Sequence, residues 1–224
     1  MKIISLLASP HGLKGNTAGL LALVVEGAES AGAENETVVL PGNTVLPCMA
    51  CQTCHIKGVC PQKDEFETIR GKIMAADGLI LASPNYMSSV SAQLKAFLDR
   101  CCGVVHCQSF TGKYGAVAIT SGSGDEAPIA AYLSRFLANT GTVPVGEVWA
   151  TMRALPGGAF PAPLRDKALA LGGDLVAAWK EGRGMGPWAE ASNSFRKRMK
   201  GLVMWKKNEW LFEYEFWKNH LGLI

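Results

Sequence analysis

The sequence predicts an α/β protein built on one doubly wound, parallel sheet of five strands. Apolar segments of strand length alternate five times with amphipathic segments of helix length, which is the pattern of linked strand–helix–strand units. The segments at 2–8 and 78–83 are apolar almost without interruption, as expected of strands buried on both faces. With 224 residues, 48% of them hydrophobic, the chain can form a substantial core.

The elements follow one another in a regular order. The strands are predicted at 2–8, 35–40, 78–83, 114–120 and 143–150. The helices are predicted at 16–31, 64–76, 91–102, 126–139 and 164–181. Gly32 is well placed to end the first helix, and Asp64 and Glu65 put negative charge at the positive end of the second. Because five strands leave no second mononucleotide-binding half, the expected strand order is 2-1-3-4-5, the flavodoxin-like order.

Composition and charge exclude several classes of function. A net charge of +3 is too small to indicate a nucleic-acid partner, and no apolar run is long enough to span a membrane. The first residues have the pattern of a strand and not of a secretion signal, so we expect a cytoplasmic protein. Four of the seven cysteines are clustered, which in a reducing compartment indicates metal binding or redox chemistry more than disulfides.

The end of the chain, residues 184–224, differs in composition from the main domain at 1–183. It carries four of the six tryptophans. Its apolar side chains recur at helical spacing: Phe195, Met199, Leu202 and Val203, and then Trp210, Leu211, Tyr214 and Trp217. Such a helical arm could pack on its own domain, hold a neighbouring subunit or lie on a membrane. Glu209, Glu213 and Glu215 argue against a membrane, and we favour a contact between the subunits of a homodimer or homotetramer.

A ligand is expected beyond the carboxyl ends of the strands, at the switch point between the first and third strands. Three loops rich in glycine and polar residues meet there, at 9–17, 84–91 and 121–125. The first has the features of a site for a single phosphate monoester, as in FMN, at the start of a helix. Its candidate contacts are Ser9, His11, Lys14, Gly15, Asn16 and Thr17. The alternative is a hydrogen-bonded turn that caps the helix.

The other two loops could hold a planar ring. A flat ligand needs an aromatic or thioether wall and backbone donors to its polar edge. The candidate contacts are Pro84, Asn85, Tyr86, Met87 and Ser88 in one loop, and Ser121, Gly122, Ser123 and Gly124 in the other. The glycines of the second loop allow close approach of the backbone. The alternatives are an exposed loop aromatic and a flexible turn.

The remaining candidate site is the cysteine loop at 46–64. Its four cysteines are Cys48, Cys51, Cys54 and Cys60. Their spacing, C-x2-C-x2-C-x5-C followed by Pro61, is close to the iron–sulfur run of bacterial ferredoxins. Structural zinc more often uses two separated pairs of ligands. Spacing alone leaves three interpretations open: an iron–sulfur cluster, zinc, or thiols that hold no metal.

The other cysteines and histidines are interpreted without a chemical role. The remaining cysteines are expected to be small buried hydrophobic residues: Cys101, Cys102 and Cys107. His55, inside the cysteine loop, is predicted to be exposed, and His106 and His220 have no obvious partner.

These motifs together resemble a known family. The segments at 9–17, 83–95 and 120–124 resemble the NADPH-dependent FMN reductases of flavodoxin-like fold. The loop at 48–60 resembles the branch called iron–sulfur flavoproteins, and the end at 206–217 resembles the tail of relatives with the same cysteine motif. The resemblance assigns Ser9, His11, Asn16 and Thr17 to the FMN phosphate, 84–88 and 121–124 to the flavin ring and ribityl chain, and Cys48, Cys51, Cys54 and Cys60 to a 4Fe–4S cluster.

The predicted function is an FMN-dependent oxidoreductase that passes electrons between a 4Fe–4S cluster and FMN. The flavin is the reactive group, since no pair of residues for acid–base chemistry is visible. The resemblance implies a ferredoxin-like electron donor, or NAD(P)H as co-substrate, and a small-molecule acceptor. One alternative is a cluster-free NAD(P)H-dependent FMN or quinone reductase. The other is a non-catalytic electron carrier or a zinc-stabilised binding module.

Overall fold

A computed structural model describes residues 1–42, 44–155, 158–220 and 222 of the chain. Its centre is a sheet of five parallel strands in the order β2-β1-β3-β4-β5. The strands are β1 (Lys2–Leu7), β2 (Glu34–Val39), β3 (Gly78–Pro84), β4 (Tyr114–Ser121) and β5 (Val143–Thr151). The five predicted strands and the flavodoxin-like order are confirmed.

The burial of the strands explains why their sequence pattern is so clear. β3 and β4 lie inside the sheet, and every residue of both strands is buried. Side chains of β1 alternate between two cores: Ile3 and Leu7 face one, and Ile4 and Leu6 face the other. A strand with a core on each side must be apolar at nearly every position, so it appears in the sequence as a continuous run.

Helices cover both faces of the sheet. They are α1 (Asn16–Ser30), α2 (Thr53–Lys57), α3 (Phe66–Met74), α4 (Ala92–Arg100), α5 (Cys102–Cys107), α6 (Glu126–Asn139), α7 (Ala162–Glu181), α8 (Ala189–Trp205) and α9 (Leu211–His220). α1 and α7 supply the core that contains Ile3, whereas α3, α4 and α6 supply the other. The short helices α2 and α5 have no counterpart in the predicted pattern, and the helix expected to reach 102 ends at Arg100.

The contact between α1 and α7 depends on two glycines. A Cβ atom on Gly172 would lie 1.9 Å from the carbonyl oxygen of Val24, and one on Gly27 would lie 2.0 Å from that of Leu169. Both obstructions are backbone atoms of the facing helix, so a side chain could be accommodated only by separating the helices. The close approach of the two backbones therefore requires glycine at both positions.

We expect Gly172→Ala to lower the free energy of unfolding by about 2 kcal/mol, because overpacking forces the helices apart. The matched control is Gly173→Ala, where the nearest atom to the new Cβ is the Gly27 carbonyl oxygen at 4.0 Å. That substitution should be neutral or stabilise the helix by roughly 0.5–1 kcal/mol. Urea denaturation followed by circular dichroism measures both, and equal midpoints for the two variants would contradict the prediction.

α8 and α9 form a third, small core at the end of the chain. Met199, Val203 and Trp217 are buried in it, as the predicted helical stripes require. α9 also packs on α2 and α5 of its own chain, and Trp217 Nε1 donates a hydrogen bond to the carbonyl oxygen of His106 at 3.0 Å. Across the described part of the chain, no helix combines the length and apolar character needed to cross a membrane.

Candidate functional sites

One cavity at the carboxyl edge of the sheet, here called the switch-point pocket, brings the three polar loops together. It measures about 200 Å³ and opens between the ends of β1, β3 and β4. It is lined by Ser9, His11, Asn16, Thr17, Pro84, Asn85, Tyr86, Thr120, Ser121, Gly122 and Met152. Nine of the sequence-predicted contacts are in this lining, and they come from all three loops: Ser9, His11, Asn16, Thr17, Pro84, Asn85, Tyr86, Ser121 and Gly122. Thr120 and Met152 also line it, and the sequence pattern does not single them out.

Six predicted contacts lie outside this lining: Lys14, Gly15, Met87, Ser88, Ser123 and Gly124. Gly15 sits just behind the pocket, since a Cβ there would lie 2.9 Å from the Cβ of His11 and 3.3 Å from Ser9 Oγ. Met87 is 97% exposed. Met87 and Ser88 both have left-handed backbone angles, because they form the two central positions of a tight turn closed by Tyr86 and Ser89. The turn directs the Met87 side chain towards solvent. Met87 therefore does not form a wall of the pocket.

Hydrogen bonds between side chains fix the loops around the switch-point pocket. Thr17 Oγ1 and Thr120 Oγ1 lie 2.7 Å apart and join the first loop to the end of β4. Glu126, buried at the start of α6, accepts hydrogen bonds from Ser121 and from Thr151. Burial alone would raise the pKa of Glu126, but the two hydroxyl donors outweigh it and lower that pKa. Glu126 thus remains ionised and holds the 121–124 loop in place.

Asn85 provides an unsatisfied polar group beside the same pocket. Its Nδ2 donates a hydrogen bond to the carbonyl oxygen of Gly124 at 2.8 Å, which fixes the orientation of the amide. Its Oδ1 is buried and has no hydrogen-bond partner. A buried acceptor without a donor costs roughly 1–3 kcal/mol, so this residue fits a ligand with an N–H group at its edge. A flavin ring carries such a group between two carbonyls.

A second cavity, here called the cysteine cavity, collects all four cysteines of the motif. It measures about 270 Å³ and is lined by Cys48, Cys51, Cys54 and Cys60, together with His55, Arg100 and Cys102. The loop can wrap around it because Ala50 and Gln52 both adopt left-handed backbone angles. Hydrogen bonds from Thr53 lower the pKa of Cys51, which favours the thiolate that a metal requires. The loop follows β2 and therefore leaves the same edge of the sheet as the switch-point pocket.

Arg100 anchors the last cysteine of the motif. Its Nη2 lies 3.1 Å from Cys60 Sγ, and its Nη1 forms an ion pair with Asp64. The side chains of Arg100 and Asp64 are 1% and 6% exposed, so the pair is buried. The backbone N–H of Cys60 donates to Glu67 at 2.7 Å. A buried cation therefore lies fixed beside the sulfur of the last cysteine of the motif.

Three residues without a predicted chemical role form a group at the wall of the cysteine cavity. His55 is 7% exposed, so the prediction of an exposed loop histidine is wrong. His106, for which no partner was visible, lies 3.0 Å from a carboxylate oxygen of Glu213. Cys102 is only half-buried and lies 3.5 Å from His106 Nε2, so its interpretation as a plain hydrophobic residue is also wrong. That interpretation holds for Cys101 and Cys107, which are fully buried.

These residues form a group here called the histidine cluster, defined as His55, Cys102, His106 and Glu213. Each charged group in it favours the charged form of its neighbours. Burial opposes ionisation of the rings, but contacts with Cys102 and Glu213 outweigh it and raise the pKa of His106 to about 9. For His55, the same two partners together with Cys54 raise the pKa to about 12 against the effect of burial. Burial would raise the pKa of Cys102, yet the two imidazoles lower it to about 6. Trp210 covers the cluster, with its ring centroid 4.3 Å from that of His55.

The fold and the switch-point pocket together define a flavodoxin-like protein, since that strand order places its ligand at this edge. The model of the family described as NADPH-dependent FMN reductase matches residues 1–155. The iron–sulfur flavoprotein of Archaeoglobus fulgidus is 32% identical over 97% of this chain and 98% of its own length. The chain therefore belongs to the NADPH-dependent FMN reductase family, in the branch of the iron–sulfur flavoproteins.

Further comparisons are consistent with this placement. The iron–sulfur flavoprotein of Methanosarcina thermophila is 40% identical over 101 residues, which is 45% of this chain and 52% of that one. Among solved structures, the NAD(P)H:quinone oxidoreductase of Methanothermobacter marburgensis covers 80% of this chain and 97% of its own. Its TM-score is 0.58 at 18% sequence identity, a similarity that shows the fold alone.

Proposed function

We propose that this protein is an FMN-dependent oxidoreductase that passes electrons between a 4Fe–4S cluster in the cysteine cavity and FMN in the switch-point pocket. One observation carries the proposal: the four cysteines of the motif line a single cavity, and the loop that carries them leaves the sheet at the edge where the switch-point pocket lies. Electron transfer needs the two groups within reach of each other, and a loop that starts at this edge meets that need.

The residues of the switch-point pocket fit FMN at both of its polar ends. α1 starts at Asn16 without a side-chain cap, so the amide groups of its first turn are free for a phosphate. Ser9 and Thr17 add buried hydroxyl groups beside them. At the other end Asn85 offers the buried acceptor that an N–H group of the ring would satisfy. Tyr86, which is 44% exposed, supplies an aromatic wall.

Bound FMN can accept electrons singly or in pairs, and an iron–sulfur cluster exchanges them one at a time. The residues of the chain bind and orient these groups and adjust their potentials. Cys48, Cys51, Cys54 and Cys60 would hold the cluster as thiolates, and Arg100 places a buried positive charge beside Cys60. A positive charge and N–H donors close to cluster sulfurs stabilise the added electron and raise the reduction potential.

The family implies an electron donor and an electron acceptor, and we propose their classes. The donor is a ferredoxin-like protein or NAD(P)H, and the acceptor is a small molecule that reaches the switch-point pocket. None of the seven cysteines, all of which lie in the described residues, forms a disulfide; this fits a reducing compartment, and we propose the cytoplasm.

Analysis of anaerobically purified protein for FMN, iron, sulfide and zinc tests the proposal. We expect about one FMN, about four iron atoms and about four sulfides per chain, as a cubane requires. FMN without iron would favour the cluster-free reductase instead. Zinc in the cysteine cavity without FMN would contradict both flavin-dependent functions and favour a binding module.

The Asn85 side chain is expected to contribute directly to FMN affinity. Asn85→Ala removes the buried acceptor and also the hydrogen bond that supports Gly124. We expect FMN to bind about tenfold more weakly, equivalent to about 1.4 kcal/mol for the lost bonds. Quenching of FMN fluorescence on titration with apoprotein measures this. Met87→Ala, in the exposed part of the same turn, is the control, and equal losses in both variants would show that the turn and not Asn85 matters.

We propose that residues 184–224 also join copies of the chain into a homodimer or homotetramer. The support is a set of exposed apolar side chains on this segment, including Trp205 at 74% and Leu211 at 54% exposure. Trp205→Ser should shift the protein towards the monomer at micromolar concentration in sedimentation velocity. Met87→Ser removes an even more exposed apolar side chain elsewhere, at 97% exposure, and should leave the distribution unchanged. An unchanged distribution for Trp205→Ser would count against this role of the segment.

A further inference from the structure

The geometry points to a site for one divalent metal ion in the histidine cluster, separate from the cysteine motif. Its ligands are His55, Cys102 and His106, and Glu213 orients them. One ring nitrogen of each histidine and the sulfur of Cys102 lie within 4.8 Å of one another. Among the described residues, this is the only group of three or more potential ligands gathered so closely.

The spacing of Cys102 and His106 matches two ligands of one tetrahedral ion. Zinc lies about 2.0–2.1 Å from histidine nitrogen and about 2.3 Å from cysteine sulfur. Two such ligands on a tetrahedral ion are therefore about 3.5 Å apart. His106 Nε2 and Cys102 Sγ lie 3.5 Å apart. Cys102 and His106 hold this spacing because they are four residues apart on the same face of α5.

Glu213 orients both rings towards the same point. Its two carboxylate oxygens face the two histidines separately: Oε1 lies 2.5 Å from His55 Nδ1, and Oε2 lies 3.0 Å from His106 Nδ1. With Nδ1 of each ring committed to the carboxylate, Nε2 is the nitrogen left for an ion. A carboxylate behind a metal-bound histidine is the usual partner that fixes the ring and raises its basicity. Here one carboxylate serves two rings, and its residue is fully buried.

The charges balance when a dication is present. Binding of the ion displaces the Nε2 protons of both rings, so each Nδ1–H still donates to Glu213 and each Nε2 lone pair is bound to the metal. The negative charges are then those of the Cys102 thiolate and the Glu213 carboxylate, and a divalent cation cancels them. Buried charges in proteins need this kind of compensation. Trp210, stacked on His55, shields the site on one side.

The site lies at the wall of the cysteine cavity, which His55 and Cys102 both line. Two imidazoles and one thiolate are ligands typical of Zn²⁺, and three protein ligands leave a fourth position open. The ion would also attach α9 to α2, since Glu213 belongs to α9 and His55 follows Cys54 on α2.

Zinc analysis and X-ray absorption of the holoprotein test this inference. We expect the protein with its cluster intact to bind about one Zn²⁺ per chain, with a zinc-edge spectrum of two nitrogen neighbours and one sulfur neighbour. Cys102→Ala and His106→Gln should each remove the zinc and leave the iron content unchanged. Cys107→Ala, a buried cysteine on the same helix, is the control and should retain both metals. Glu213→Gln should weaken zinc binding 10–100-fold without removing a ligand.

Three results would overturn the inference. The first is a holoprotein that fails to bind one equivalent of added Zn²⁺. The second is a zinc spectrum with four sulfur neighbours, which would place the ion in the cysteine motif. The third is a zinc content that Cys102→Ala and His106→Gln both leave unchanged. Iron and FMN are measured in the same samples, so a failure of the proposed redox function is recognised separately.

Discussion

Cys51→Ala is expected to remove essentially all iron from the protein while FMN stays bound. Cys51 lines the cysteine cavity with the other three cysteines of the motif, and hydrogen bonds from Thr53 favour its thiolate. A cubane cluster needs a ligand on each of its irons, so the loss of one thiolate exposes the cluster to solvent and to oxidation. FMN should remain, because no residue of the switch-point pocket belongs to the cysteine loop.

The measurement is iron, sulfide and FMN per chain after anaerobic purification, together with the visible absorption of the cluster. Cys107→Ala is the matched control, since Cys107 is a fully buried cysteine outside the cysteine cavity. It should retain about as much iron as the unchanged protein. Iron that persists in Cys51→Ala, or that is lost equally from both variants, would refute the assignment of the cluster to this loop.

Arg100→Met is expected to destabilise the fold by about 3–5 kcal/mol, the usual cost of removing one partner from a buried ion pair. The substitution leaves Asp64, which is 6% exposed, without its cation. Burial alone raises the pKa of Asp64, and the hydrogen bond from Arg100 is the largest of the contacts that lower it. The Cys60 sulfur also loses the guanidinium that lies 3.1 Å away. We therefore expect the cysteine loop to be the first part of the structure to open.

Asp99→Asn is the control for Arg100→Met, because it removes a neighbouring ion pair that is exposed. Lys95 and Asp99 are both 47% exposed, and such surface pairs contribute about 0–1 kcal/mol. Denaturation in urea under reducing, anaerobic conditions measures both variants. If Arg100→Met costs no more than Asp99→Asn, the Arg100–Asp64 pair does not stabilise the loop as proposed.

The sequence predicts the sheet and the switch-point pocket well because both follow from local patterns. Strands such as β3 and β4 are buried on both faces, so their sequence is apolar without regard to their neighbours. Once the strand order is known, the polar loops must lie at the carboxyl edge of the sheet. Nine of the fifteen predicted contacts line the pocket on this basis. Met87 and Ser88 lie outside it because of the geometry of their turn, which no periodicity reports.

The cysteine loop that suggested metal chemistry is likewise a local pattern, since four cysteines at short spacing must converge when the loop folds. What the sequence alone determined is therefore the parallel sheet, the edge at which its polar loops gather and the gathering of the four motif cysteines around one cavity. The tertiary structure decided the partners of His55 and His106. Glu213 is 158 residues from one and 107 from the other, and only the docking of α9 brings it between them. Such a contact depends on the packing of one helix against two others, which leaves no periodic trace in the chain.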